Sequence, residues 1–141
     1  MWSYEIEYIL SSDPTFIGCF PYDELPKFKR KKICSVIINT GHSSTQGKHW
    51  VAVKMFKDKC FYFDSFGVGI VNENIKTFVS NYKKVTHSDL CIQDLRSKKC
   101  GLFCMAFIKN VNSIEDYDRF INMFNDCDLY MNDFIVYDFL K

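Results

Sequence analysis

Apolar positions along the chain fall into blocks of two different periods. Residues 2–10 set Ile6, Ile9 and Leu10 at helical spacing and stop at Asp13-Pro14, which predicts a short helix. Residues 14–32 are mixed, with turn signals at Pro21 and Pro26 and a basic cluster, KFKRKK, from Lys27 to Lys32. Three β-like runs follow: Lys32–Asn39, His49–Phe56 and Cys60–Asp64. A polar loop, TGHSSTQGK, divides the first two. Only Lys57, Asp58 and Lys59 divide the second and third, a length suited to a tight antiparallel hairpin.

The period then becomes helical. Asn72 can cap a helix whose apolar face is Ile75, Phe78, Val79 and Tyr82. After a loop with a short extended piece, Leu90–Gln93, comes CGLFCMAFIK (Cys100 to Lys109), which is apolar almost all round and predicts a central buried helix. Ser113, with Asp116 three positions on, starts a helix burying Tyr117, Phe120, Ile121 and Phe124. Asn132 can cap a last helix through Ile135 and Phe139. The predicted class is α+β: a small, mainly antiparallel sheet packed on helices, with the central helix starting at Cys100.

At 141 residues the chain is one domain's worth. A net charge of +1, from 18 basic and 17 acidic residues, supplies no bulk field for nucleic acid or an anionic membrane. The KFKRKK cluster (Lys27, Lys29, Arg30, Lys31 and Lys32) is the one place where weak nucleic-acid contact could arise, although a solvated lead-in to the next strand is the better reading because acids elsewhere cancel its charge. No apolar run approaches a membrane span of about 20 residues. The N-terminal MWSYEIEYIL carries acids where a secretory signal carries Lys or Arg, so no export is expected. Seven cysteines, an odd number sitting mostly in apolar runs, make a poor disulfide framework and mostly read as small buried hydrophobes.

Candidate chemistry begins in the hairpin. A two-residue turn at Lys57-Asp58 sets Phe56 opposite Lys59 and Asp64 opposite Val51. His49 and Asp64 then become diagonal neighbours on one face, because residues two apart share a face. An imidazole with a carboxylate on its second nitrogen is the oriented base that nucleophilic catalysis needs. Cys100 stands where polar QDLRSKK gives way to the apolar helix, so its sulfur falls near free N–H groups that favour a thiolate. Its own N–H and the side-chain amide of Gln93 are candidate oxyanion donors. Gly101 permits close approach of substrate to the backbone. Cys104, one turn deeper, should be inert.

At these residues the chain resembles the adenain-like cysteine proteases, the adenovirus endopeptidase group. The resemblance rests on KHWVAV, then YFDSFG, then a Gln seven residues before CGLFC. It extends through FIGCFPYDELPKF and ICSVIINTGHSSTQGKHW to the terminal NDFIVYDFLK, the last being similar to Maverick/Polinton and adintovirus members. More distant relatives are the SUMO-deconjugating proteases. The resemblance implies base His49, acid Asp64, oxyanion donor Gln93 and nucleophile Cys100, with Trp50 lining a narrow substrate channel. It also implies cleavage of capsid or core precursors at glycine-containing sites during virion maturation, with a deubiquitinase or SUMO-type isopeptidase as the alternative. A monomer acting inside the host cell, in the nucleus or a cytoplasmic virus factory, and packaged in the virion is the corresponding expectation. No cofactor is required; an activating peptide or DNA enters by resemblance alone. Two departures stand out: the acid is Asp where adenain has Glu, and the chain is much shorter.

Taken singly, these residues have plainer readings. Cys100 would be a core cysteine, His49 a half-exposed surface residue, Asp64 a turn-former and Gln93 solvated. Their joint order is what those readings leave unexplained. His42 and His87 read as ordinary surface histidines. A zinc module from His87, Cys91, Cys100 and Cys104 has tolerable spacing, but it would put two ligands on an apolar helix with no metal loop between them. A catalytically dead binding module is disfavoured because every catalytic position holds a competent residue type.

Overall fold

A computed structural model describes residues 1–27 and 33–141. Helix α1 (Ser3–Ile9) precedes strands β1 (Phe16–Pro21), β2 (Ile33–Asn39), β3 (Trp50–Phe56) and β4 (Lys59–Phe63). Helix α2 (Glu73–Val79), strand β5 (Lys84–His87) and helices α3 (Cys100–Asn110), α4 (Ile114–Asn122) and α5 (Asn132–Asp138) complete the chain. The five strands form one sheet in the order β1-β2-β3-β4-β5. Pairing is antiparallel at the centre, β2 with β3 and β3 with β4, and parallel at both edges. The α+β class holds.

Both faces of the sheet are covered, and that is why β2 and β3 read as unbroken apolar runs. On one face Ile37, Ala52, Phe61 and Phe63 meet the aromatic cluster of α3 and α4, with Phe63 stacked on Phe107 at 4.7 Å. On the other, Val36, Val51, Val53 and Tyr62 meet Ile75 and Val79 of α2. Asn72 caps α2 through the amides of Asn74 and Ile75. Ser113 caps α4 through the amide of Asp116, whose carboxylate accepts from Asn112, one residue short of closing a capping box.

The hairpin has the predicted register. Phe56 lies opposite Lys59 and Ala52 opposite Phe63, so one further step sets Asp64 against Val51. Lys57 takes φ +54°, the left-handed conformation that tight hairpin turns require. At the other end of β3, Asn39 Oδ1 accepts from the amides of Gly41 (2.7 Å) and Lys48 (3.0 Å), and Thr40 N–H donates to the His49 carbonyl. Gly47 (φ +92°) packs so close that a Cβ would fall 2.6 Å from Asn39 Nδ2. The polar loop is thereby closed at its base, delivering His49 to the start of β3.

Four expectations change. The mixed segment after Pro14 contains an edge strand, β1, paired in parallel with β2. Leu90–Gln93 is not extended; the last strand lies earlier, at Lys84–His87. Asn132 is no cap: Met131 holds that position, and the Asn132 side chain is buried, donating to the carbonyls of Ile92 (2.7 Å) and Asn125 (2.8 Å). Of the seven cysteines, all free, only Cys34, Cys60 and Cys104 are buried. The basic cluster lies outside the described residues apart from Lys27, which is exposed.

Lys54 of β3 is fully buried beneath the end of α3, donating to the Ile108 carbonyl (2.7 Å) and to Asn112 Oδ1 (3.1 Å). It supplies a donor to a carbonyl near the helix C-terminus and a positive charge to the negative end of the dipole. Burial lowers its pKa against the opposing pull of Asp13 and Asp116. Lys54→Ala should therefore cost about 3 kcal/mol, a cavity plus an orphaned carbonyl. Lys54→Met restores the volume without the donor and should recover part of that loss, read by urea unfolding.

Candidate active site

Cys100 is the first residue of α3, and two kinds of neighbour converge on its partly buried sulfur. The backbone N–H of Trp50 donates to Sγ at 3.4 Å, and the Gly101 amide and the His49 ring also act on it. Burial pushes the thiol up, but the His49 hydrogen bond and charge, with the Trp50 and Gly101 amides, outweigh it and hold the thiol below its ordinary value of 9.0. Cys104 shows what happens without those partners. It is buried one turn deeper, and desolvation, reinforced by nearby negative groups, drives its pKa well up.

His49 faces the sulfur on one side and Asp64 on the other, with Nε2 and Asp64 Oδ1 2.8 Å apart. Burial alone would lower the imidazole pKa. Hydrogen bonds and charge from Asp64 and Cys100 reverse that and raise it from 6.5 to about 9. Hence both members of the pair are displaced toward imidazolium and thiolate.

Asp64 is itself braced. Its amide donates to Ser88 Oγ (2.9 Å), that hydroxyl donates back to the Asp64 carbonyl (3.0 Å), and Phe66 N–H donates to Oδ1 (2.9 Å). Phe66 also stacks on the His49 ring with centroids 4.6 Å apart. Sequence reasoning missed Ser88 and Phe66. The DSFG turn holds a signal for the second, since a two-residue step from the acid returns the chain beside it. Gly67, at φ +75°, presses on the 90–91 backbone so closely that a Cβ would lie 2.6 Å from Leu90 C. This contact, with Ile92 and Gln93 N–H donating to the Ser65 carbonyl, brings the Gln93 loop to the DSFG turn.

Gln93 is fully enclosed. Its Oε1 accepts from Ser65 Oγ at 2.5 Å, and its Nε2 donates to Ser97 O (3.0 Å) and Ser97 Oγ (3.2 Å). Trp50 is nearly buried, its indole N–H donating to the Met1 carbonyl at 3.1 Å. Gly101 is buried as well. A Cβ there would meet Met1 Sδ at 2.9 Å and Ile6 Cδ1 and Trp50 Cδ1 at 3.4 Å. Its missing side chain makes room for α1 and Trp50, rather than for an open channel. His42 lies apart from the triad, 3.3 Å from Asp23, and His87 Nδ1 lies 3.2 Å from the Ser88 carbonyl. Among the described residues no group of three or more His, Cys, Asp or Glu side chains could hold a metal ion.

A thiol at a helix start, an imidazole beside it and a carboxylate behind the imidazole, on an α+β sheet, define a cysteine-protease type of site. The sequence profile of the adenovirus endoprotease family matches residues 16–127, and the chain belongs to that family. It is 26% identical over 113 residues to the protease of porcine adenovirus A serotype 3, covering 67% of this chain and 55% of that protein. With the protease of bovine adenovirus 2 it shares 31% identity over 117 residues, 70% of this chain and 56% of the relative. The chain thus spans about half the length of these relatives. Its fold resembles the crystal structure of an ASFV protease, with TM-score 0.50 and 23% identity, covering 79% of this chain and 44% of that one.

Proposed function

We propose that the chain is a cysteine endopeptidase of viral or virus-like origin, cutting capsid or core precursor proteins at glycine-containing sites during virion maturation. The observation that carries this reading is His49, set 2.8 Å from Asp64 and acting on the Cys100 thiol, whose sulfur accepts from the Trp50 amide at 3.4 Å. The Cys100 thiolate attacks the scissile carbonyl carbon, and the electron pair moves onto oxygen. The Cys100 N–H receives that oxyanion; for Gln93 to join it, its amide must first release a Ser97 acceptor, since both of its protons are held there. Its collapse breaks the C–N bond while His49 gives its proton to the departing amine, leaving a thioester. Water then attacks the thioester as His49 takes one of its protons, and the intermediate collapses to the carboxylic acid and the Cys100 thiolate beside the re-formed imidazolium. Asp64 keeps the ring oriented throughout.

No cofactor enters these steps, and an activating peptide or DNA would act outside them. The corresponding setting is a monomer at work inside the host cell and carried in the virion. Among the described residues no helix is long and apolar enough to cross a membrane.

Two fluorogenic probes test the substrate class. A tetrapeptide amide ending in Gly-Gly should be hydrolysed, and its counterpart ending in Ala-Ala should be cut at least about tenfold more slowly, the discrimination a crowded channel achieves. Equal rates on the two peptides would remove the glycine assignment. Preference for ubiquitin- or SUMO-coumarin over the free peptide by orders of magnitude would move the reading to an isopeptidase.

A further inference from the structure

The turn after Asp64 runs through Ser65, Phe66 and Gly67, and its outer two residues are anchored. Ser65 Oγ donates to Gln93 Oε1; Gly67 N–H donates to the Asp64 carbonyl at 2.8 Å, and the glycine presses on the 90–91 backbone. Phe66, between them, is a large apolar residue that joins neither hydrophobic cluster among the described residues and is only partly buried. Core packing therefore does not account for it. Its ring lies on the His49 imidazole instead, with centroids 4.6 Å apart and planes 21° from parallel. Its backbone acts on the other partner: Phe66 N–H donates at 2.9 Å to Asp64 Oδ1, the same oxygen that meets His49 Nε2 at 2.8 Å.

We propose that Phe66 is a positioning residue for the base: its amide aims the Asp64 oxygen, and its ring face holds the imidazole in place and favours its charged form. The inference rests on His49 being the base of the reaction proposed above. The charged groups that act on His49 are Asp64, at the end of β4, and Cys100, at the start of α3. Both work through hydrogen bonds, which meet the imidazole at its edge; Phe66 covers a face. An aromatic face is the negative pole of the ring's quadrupole, so a cation laid on it is attracted more than the neutral ring. The contact thus favours the imidazolium that a Cys100 thiolate needs beside it. It also keeps water off one side of the His49–Asp64 hydrogen bond, whose side chains are 16% and 8% exposed. Neither effect needs Phe66 to touch substrate.

The test is an NMR pH titration of the His49 ring in the free protein, with His42 and His87 as internal references, beside kcat and KM on the Gly-Gly peptide amide. Phe66→Leu keeps the apolar bulk and the backbone amide but removes the aromatic face. It should lower the His49 midpoint by about half a pH unit, the size of a partly exposed cation–π contact, and leave His42 and His87 where they are. Phe66→Ala removes the wall as well and should lower kcat about tenfold with KM unchanged, part of what a misplacement of about 1 Å can cost. Phe66→Tyr keeps the face and should restore both midpoint and kcat to near their native values. A His49 midpoint that stays put in Phe66→Leu, or falls as far in Phe66→Tyr, overturns the proposal. So does a loss confined to KM, which would make Phe66 a substrate contact. The titration needs no turnover, so a native chain that leaves the peptide uncut yet shows the Phe66→Leu shift counts against the endopeptidase reading and for the ring contact.

Discussion

Cys100→Ala should abolish peptidase activity, by roughly 10⁴-fold or more, because what remains without a nucleophile is only binding and oxyanion stabilisation. The fold should be nearly untouched, since one partly buried sulfur at a helix start contributes under about 1 kcal/mol of packing. Cys104→Ala should do the reverse, costing about 1 kcal/mol for a fully buried side chain and sparing activity. Alkylation separates the two without mutation. At pH 6 iodoacetamide should label Cys100 first, since His49 and two backbone amides hold its thiol low. Cys91 and Cys127 are exposed but have raised pKa values: burial is the main cause at Cys91, and the Asp126 carboxylate at Cys127. Mass spectrometry of the labelled protein should show loss of activity tracking Cys100 alone. Inactivation that tracked any other cysteine would remove the nucleophile assignment.

The parts of this site written in short-range pattern were legible in the sequence, and the parts written in tertiary contact were not. The hairpin could be read because a two-residue turn leaves no freedom of register, so His49 and Asp64 follow from parity alone. Helix α3 could be read because nothing in it is polar until Lys109. The edge strands failed the same test. β1 contains Gly18 and ends on Pro21, and β5 is four residues long and mostly exposed, so neither carries an alternation to find. Asn132 looked like a cap because Asn before an apolar run often is one. Its partners lie 7 and 40 residues away, a distance no local pattern encodes. Gln93 was placed by motif spacing, but its enclosure between Ser65 and Ser97 depends on the DSFG turn pressing against the 90–91 backbone.

His49→Ala should remove activity nearly as fully as loss of the nucleophile, by about 10³–10⁴ in kcat. It takes away the acid–base group and the cation that holds the thiolate together. Asp64→Asn keeps the side chain's shape and should cost less, on the order of 10–10², because a thiolate–imidazolium pair partly persists without its third member. The pH profile carries the sharper expectation. In the native chain kcat/KM should rise as Cys100 ionises below its ordinary 9.0 and fall as His49 loses its proton near about 9. The Asp64 hydrogen bond and charge are among the groups that raise His49, so Asp64→Asn should move the alkaline limb to lower pH. Stability should follow the same sign. A raised imidazole pKa stabilises the fold in full below about 6.5 and stops doing so as pH climbs through about 9, so the native chain should lose its advantage over Asp64→Asn across that window. An alkaline limb that stays in place in Asp64→Asn would mean that the carboxylate does not govern the imidazole, and that another acceptor orients the base.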